Sequence, residues 1–360
     1  MSVAERFSPD PFQRSHVAVQ EFRTSIDPSM ASEPEPSRDG ERDVGELMAA
    51  LNAGLVIRRG SADDLVRRVK QADERGIATV WTTVGGPTAD PVTAYAAAGA
   101  MTGRVMLGTA VTPTYPRHPI TLAAQAIALN DLAPGRIRLG IGTSHKPTIE
   151  GSYGIPMGKP LAHLREYLTI LRALLWEGKA EFSGTYFTVK TALPEHVPAP
   201  NIPVPISALR QNAFRLAGEL ADGAISWVTP VDYLVETAIP AMDEGAAKSG
   251  RQRPPLIAHV PVALTTDRAA GREAFRQQFS IYGRLPFYAA MFEAAGFPVD
   301  DAGRMSDGLV ETLAVVGDAD EIRERLTAIL ARGIDEVMIS HVVVGDEASE
   351  LETISGILAG

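Results

Sequence analysis

Leu51-Asn52-Ala53-Gly54-Leu55-Val56-Ile57, then Ser61-Ala62-Asp63-Asp64 opening a helix that runs to Arg75, then Gly76-Ile77-Ala78-Thr79-Val80-Trp81-Thr82: residues 51–82 hold one complete strand–helix–strand unit. Ser61 is an N-cap residue type, and the two acids behind it suit the positive end of a helix. Gly76 supplies the left-handed residue that ends a helix before the next apolar run. The same rhythm recurs along the chain. Apolar runs at Val105–Val111, Arg136–Ile141, Val204–Ala208, Gly223–Trp227, Leu256–Leu264 and Glu336–His341 predict six further strands. Helices are predicted over Pro91–Met101, Pro119–Leu132, Pro160–Trp176, Asn212–Leu220, Tyr233–Lys248, Ala269–Phe279, Pro286–Ala295 and Ala319–Arg332.

Eight strands alternating with helices imply a parallel sheet with right-handed crossovers. A closed barrel fits this count better than an open doubly wound sheet. The first strand is also not followed by the Gly-x-Gly-x-x-Gly turn of a dinucleotide-binding fold. The expected fold is therefore a (β/α)8 TIM barrel with insertions. Three stretches interrupt it: His145–Pro160, Lys179–Pro203 with a hairpin predicted from Ala180–Phe182 and Tyr186–Val189, and the irregular Phe297–Val315. Barrel chemistry sits on loops at the C-terminal ends of the strands, so the first insertion should line the site.

Composition narrows the function classes. The formal net charge is −10, which disfavours nucleic acid and anionic membranes as partners. There is no cysteine, which removes disulfides, thiolate metal sites and a cysteine nucleophile. No apolar run approaches the roughly 20 residues of a membrane helix, and a cytoplasmic location is expected. Residues 1–43 are dominated by Pro, Ser, Glu, Arg and Asp. They read as a disordered extension, or as an arm that packs on a partner subunit.

Three loops could carry chemistry. Gly108-Thr109-Ala110-Val111-Thr112-Pro113-Thr114-Tyr115-Pro116-Arg117-His118-Pro119 closes the third strand. It is either a proline-stiffened turn that caps a helix or a rigid wall against a planar ligand. Gly140-Ile141-Gly142-Thr143-Ser144-His145-Lys146 closes the fourth; its glycines permit close backbone approach, and His145 can exchange a proton near neutral pH. Ser207-Ala208-Leu209-Arg210-Gln211-Asn212 leads into a helix, whose first N–H groups and Arg210 suit a phosphate. A surface histidine and an ordinary helix start with a solvated arginine are the plain alternatives. No Gly-x-Ser-x-Gly elbow and no His-Glu-x-x-His zinc motif is present. Aromatic residues within Phe275–Phe292 read as packing, although Tyr282-Gly283-Arg284-Leu285-Pro286 is polar and stiff enough to touch a substrate.

The first two loops, with Arg165-Glu166-Tyr167-Leu168, Leu216-Ala217-Gly218-Glu219-Leu220-Ala221-Asp222-Gly223 and Tyr282-Gly283-Arg284-Leu285-Pro286, resemble the luciferase-like monooxygenase superfamily. Within it the chain resembles the branch of oxidoreductases dependent on coenzyme F-420, a deazaflavin. The resemblance implies a luciferase-like barrel domain over residues 44–360, with the cofactor ring at the C-terminal mouth. It implies a non-proline cis peptide bond at Ala110–Val111 and cofactor contacts from Thr109, Ala110, Val111 and Thr112. Gly142, Thr143, Ser144 and His145 would line the ring, with His145 the candidate catalytic residue. Ser207, Ala208, Leu209 and Arg210 would hold the phosphate.

Two departures stand out. Relatives often carry an acidic–polar pair after the second strand, where this chain has Val84-Gly85, and a Gly-Gly pair where it has Leu209-Arg210. The implied activity is hydride transfer between reduced F-420 and a small organic substrate. An FMN-dependent monooxygenase and a non-catalytic cofactor-binding relative are the alternatives. No metal is expected, and members of the family are often homodimers.

Overall fold

The computed structural model describes residues 51–58, 60–86 and 88–359. The expected extension at residues 1–43 lies outside them, as does the start of the barrel domain at residues 44–50.

Eight parallel strands pair in a closed ring. They are Ala53–Ile57, Thr79–Thr82, a third in two pieces (Met106–Thr109 and Thr112–Pro113), a fourth in two pieces (Ile137–Arg138 and Ile141–Gly142), Ile206–Ser207, Ala224–Ser226, Leu256–Leu264 and Glu336–His341. The first strand pairs with both the second and the eighth, with Val56 opposite Trp81 and Ala53 opposite Val337. Strands three and four pair through both pieces, Leu107 opposite Ile137 and Thr112 opposite Ile141. Strand four then pairs with five, five with six, six with seven and seven with eight, which closes the ring. The predicted order holds throughout.

The helices start and stop for the expected reasons. Ser61 accepts the Asp64 N–H at 3.1 Å, and the helix Ala62–Glu74 ends at Gly76 with φ +79°. Asp318 and Glu321 form a reciprocal capping box on Ala319–Ala331.

One tryptophan fills the barrel interior. Trp81 clusters with Ala110, Ile225, Ile257 and Met338. Gly54 and Gly108, on the strands to either side, make room for it. A Cβ on Gly54 would lie 2.7 Å from the indole Nε1, and one on Gly108 would lie 2.3 Å from the indole Cε3. Toward the N-terminal end of the barrel, Trp81 Nε1 donates to Glu336 at 3.1 Å, and Arg138 pairs with the same carboxylate at 2.5 Å. The Arg138 guanidinium lies 4.6 Å from the centre of the indole. A larger apolar core occupies the layer between strands and helices.

The structure departs from the sequence reading in the irregular regions. The hairpin is Lys179–Ser183 with Thr188–Ala192, so its second strand starts two residues later than predicted. Glu166 sets this. Its carboxylate accepts the backbone N–H groups of Thr185, Tyr186 and Phe187 at 2.8, 2.8 and 3.2 Å and holds them as the turn. Lys146–Gly151 is helical inside the first insertion, and Asp307–Leu313 inside the third. A last helix, Glu347–Ala359, was not predicted; buried Glu350 ties it to the eighth strand through His341 Nε2 at 2.7 Å. Among the described residues no helix is long and apolar enough to cross a membrane.

Candidate active site

A cavity of about 620 Å³ opens at the C-terminal mouth of the barrel. Its floor is the break in the third strand. The peptide bond Ala110–Val111 is cis. The Gly140 carbonyl accepts from the Thr109 hydroxyl at 2.7 Å and from the Thr112 N–H at 2.8 Å, so strand four grips the bulge on both sides. The Ala110 N–H donates to the Thr82 carbonyl at 2.8 Å. A Cβ on Gly140 would collide with the Thr109 carbonyl, and one on Gly142 would meet the Ser207 hydroxyl and lie 2.7 Å from Val111. These two glycines are therefore fixed by close approach, as their place beside a bulge suggests.

Of the twelve cofactor residues expected from the sequence, nine line the cavity: Ala110 and Val111 on the floor, Thr143, Ser144 and His145 at one edge, and Ser207 to Arg210 at another. Thr109, Thr112 and Gly142 do not. Thr109 is buried with its hydroxyl bound to Gly140, Thr112 is buried, and Gly142 lies behind Val111 and Ser207. Their contribution is to shape the floor.

His145 is half-buried, and burial pushes its pKa below the usual 6.5. Its ring lies 5.9 Å from that of Tyr288 and 6.5 Å from that of Tyr282, centre to centre. It precedes the helix Lys146–Gly151 but gives that helix no side-chain cap, so the imidazole is available to a ligand.

Arg210 is exposed and stands at the N-terminus of Gln211–Leu220, with Leu209 partly packed on the core. Beside them is Tyr233, whose phenol is pushed up by burial and pulled back by the Arg210 charge and the Gln211 N–H. A guanidinium, a helix start and a phenol on one wall form a site for an anion.

Sequence reasoning missed several cavity residues, among them Thr83, Trp227, Tyr233 and Tyr288. Thr83 matters because the expected acidic–polar pair after strand two is absent. Val84 is buried and Gly85 abuts Pro113, and the side chain of this loop that lines the cavity is Thr83. Trp227 directly follows strand six, and that position could have flagged it. It stacks on His259 with ring centres 3.6 Å apart. The Val228 N–H donates to His259 Nδ1 at 3.3 Å, so Nε2 carries the proton and donates to Ser340 at 2.7 Å. Burial pushes His259 down to about 3, which keeps it neutral beneath the tryptophan. Val228 itself takes φ +49°, an uncommon conformation for a β-branched residue. Tyr288 packs, as its segment was read, but it also faces the cavity.

A family model described as luciferase-like monooxygenase matches residues 44–336. The chain belongs to this family. Luciferase-like proteins of two cofactor classes are similar to it. An F-420-dependent glucose-6-phosphate dehydrogenase of Beutenbergia cavernae is 33% identical over 285 residues, covering 76% of this chain and 82% of that protein. The coenzyme F-420-dependent tetrahydromethanopterin reductase of Methanopyrus kandleri superposes with a TM-score of 0.69 at 20% identity, over 85% of this chain and 98% of that one. The oxygenating constituent of 3,6-diketocamphane monooxygenase from Pseudomonas putida, solved with FMN, superposes at 0.63 with 19% identity, over 86% and 96%. At such identities the two structures speak to the fold alone. As a luciferase-like protein this chain is an oxidoreductase of a family that uses F-420 or flavin.

Proposed function

We propose that the cavity holds coenzyme F-420 and that the enzyme passes hydride between it and a small organic substrate. One observation carries this reading: the bulged floor at Ala110–Val111 and the anion site at Arg210 and Gln211 open into the same cavity. A planar ring system whose side chain carries a phosphate fits such a pair of surfaces. The relative at 33% identity, named for its dependence on F-420, supports the deazaflavin.

When bound, the deazaflavin supplies a ring that takes up or releases hydride. The protein supplies position and electrostatics. Ala110 and Val111 form a flat apolar seat, held rigid by the Gly140 carbonyl. Arg210, the Gln211 N–H and the Tyr233 hydroxyl would hold the phosphate, and Leu209, partly packed on the core, steadies the loop. Thr143 and Ser144 offer polar atoms to the ring edge. His145 is neutral at pH 7, because burial lowers its pKa, so it is ready to take a proton from a substrate hydroxyl.

A phosphate-bearing FMN meets the same donors, which is the observation that favours the second reading, an FMN-dependent monooxygenase. The test is titration of the purified chain with oxidised F-420 and, separately, with FMN, following fluorescence. Saturable quenching of F-420 with no tight FMN binding supports the deazaflavin. Tight FMN binding, no response from F-420, and oxygen uptake with reduced FMN would establish the second reading instead.

A further inference from the structure

A second cavity, of about 310 Å³, shares no lining residue with the one at the barrel mouth. Three helices frame it, Arg268–Phe279, Asp307–Leu313 and Ala319–Ala331, together with the short strand Val315–Gly317. That strand pairs with the end of strand seven, Val262 opposite Val315. The charged lining is Arg268, Arg272, Arg325 and Glu311, and the rest is apolar. Three arginines against one glutamate leave an excess of two positive charges, in a chain whose net charge is −10.

Two of these arginines are held by acids. Arg272 Nη1 donates to Glu311 at 3.1 Å, and its Nε lies 3.6 Å from Asp307. Arg268 donates to Glu321 at 2.8 Å and to the Val316 carbonyl at 2.6 Å. Arg325 differs. It is half-buried, and among the described residues it forms no ion pair. Its hydrogen bond, to the Ala314 carbonyl, is long at 3.5 Å. Burial and the Arg268 charge push its pKa down, while Glu321 and Glu311 pull it back. A guanidinium stays charged even so. Arg325 also borders an adjoining cavity, where the one further acid, Asp232, is taken by Arg332 at 2.6 Å. A half-buried cation beside a like charge is costly to hold with no anion to meet it.

We propose that this cavity binds a small phosphate monoester, at a site separate from the one at the barrel mouth. The charge count favours phosphate over carboxylate. A phosphate monoester carries a charge of about −2 at pH 7, which matches the excess, whereas a single carboxylate would leave half of it unmet. A guanidinium is a planar fork of N–H donors that suits phosphate oxygens, and Arg325 spends one donor on its long bond. The volume lies near the lower end of small-molecule pockets, about 300 Å³, so the ester body is small. Val310, Ala314 and Val316 offer it apolar surface. The inference does not depend on the cofactor reading, since Arg210 has no part in this cavity.

The test is calorimetric titration of the full chain with inorganic phosphate and, separately, with acetate, in chloride buffer of fixed ionic strength. Arg210→Gln is the background, so that the anion site at the barrel mouth is disabled. One saturable phosphate per chain is expected, with acetate at least about tenfold weaker. Adding Arg325→Gln should weaken phosphate at least about tenfold, the size of a lost charge-assisted contact. Adding Glu311→Gln, at an exposed position, should instead tighten phosphate about two- to fivefold, because it removes the acid from the lining and frees Arg272. In phosphate-free buffer Arg325→Gln should unfold no earlier than the background, since it removes an unpaired cation.

No saturable phosphate binding in the Arg210→Gln background overturns the site. So does binding that neither Arg325→Gln nor Glu311→Gln changes. Acetate binding as tight as phosphate overturns the assignment to phosphate. A large loss of stability in phosphate-free Arg325→Gln would make Arg325 a structural residue and overturn the argument built on it.

Discussion

Replacing Arg138 with methionine tests how the barrel interior holds up the site floor. Arg138 and Glu336 are 17% and 7% exposed at their side chains, and their contact is 2.5 Å. The guanidinium also sits 4.6 Å from the Trp81 ring, and Trp81 donates to the other carboxylate oxygen at 3.1 Å. Arg138→Met keeps the packed volume but leaves the Glu336 carboxylate buried with one neutral donor. Breaking a buried pair from one side costs about 3–5 kcal/mol. A desolvated cation–π contact is worth about 2 kcal/mol and is lost with it, as part of that total. Adding Glu336→Gln removes the stranded charge and keeps an acceptor for Trp81. The double variant should therefore recover most of the loss and lie within about 2 kcal/mol of the parent. Denaturant unfolding of the parent, both single variants and the double variant gives the cycle. The reasoning is refuted if Arg138→Met costs under about 1 kcal/mol, or if the double variant loses the sum of the singles. Function is coupled to this plug, because Trp81 packs with Ala110 and Ile225, which line the cavity.

Gly142→Ala places a methyl group against Ser207 and 2.7 Å from Val111, so cofactor affinity should fall about 5- to 150-fold, matching an overpacking cost of about 1–3 kcal/mol, in a fluorescence titration. Stability should fall as pH drops from 6.5 toward about 4, because burial pushes His163 down to about 4 and His259 to about 3. In that window the unfolded chain takes up protons that the folded chain refuses, so unfolding is favoured. Denaturant midpoints at pH 7, 5.5 and 4.5 measure this, and His163→Phe should flatten part of the slope. Glu166→Ala removes the acceptor for three backbone N–H groups, and hydrogen exchange should speed up at residues 185–187 before the barrel strands change.

Much of the fold was legible because it rests on local signals. Leu256–Leu264, Glu336–His341 and Pro119–Leu132 fall where their apolar runs and caps put them. The hairpin register was not, since Glu166 sets it from a helix about twenty residues away. The split of strands three and four also escaped propensity; their paired positions depend on the Gly140 carbonyl gripping the bulge. The helix Glu347–Ala359 has weak apolar periodicity and is anchored by the buried Glu350–His341 contact, which no local pattern announces.

The site divided the same way. His145 and the loop from Ser207 to Arg210 stood out by residue type at strand ends. Trp227 and Thr83 are singled out by which face of the barrel mouth they line. Thr109 and Thr112, expected as contacts from the family resemblance, have small polar side chains that are buried beneath the floor.

A crystal structure of the chain soaked with F-420 tests the central claim most directly. The account predicts the deazaflavin ring against Ala110–Val111 and the phosphate within hydrogen-bonding distance of the Gln211 N–H and Arg210. A ring seated away from that bulge, or a phosphate bound away from the start of Gln211–Leu220, would contradict it.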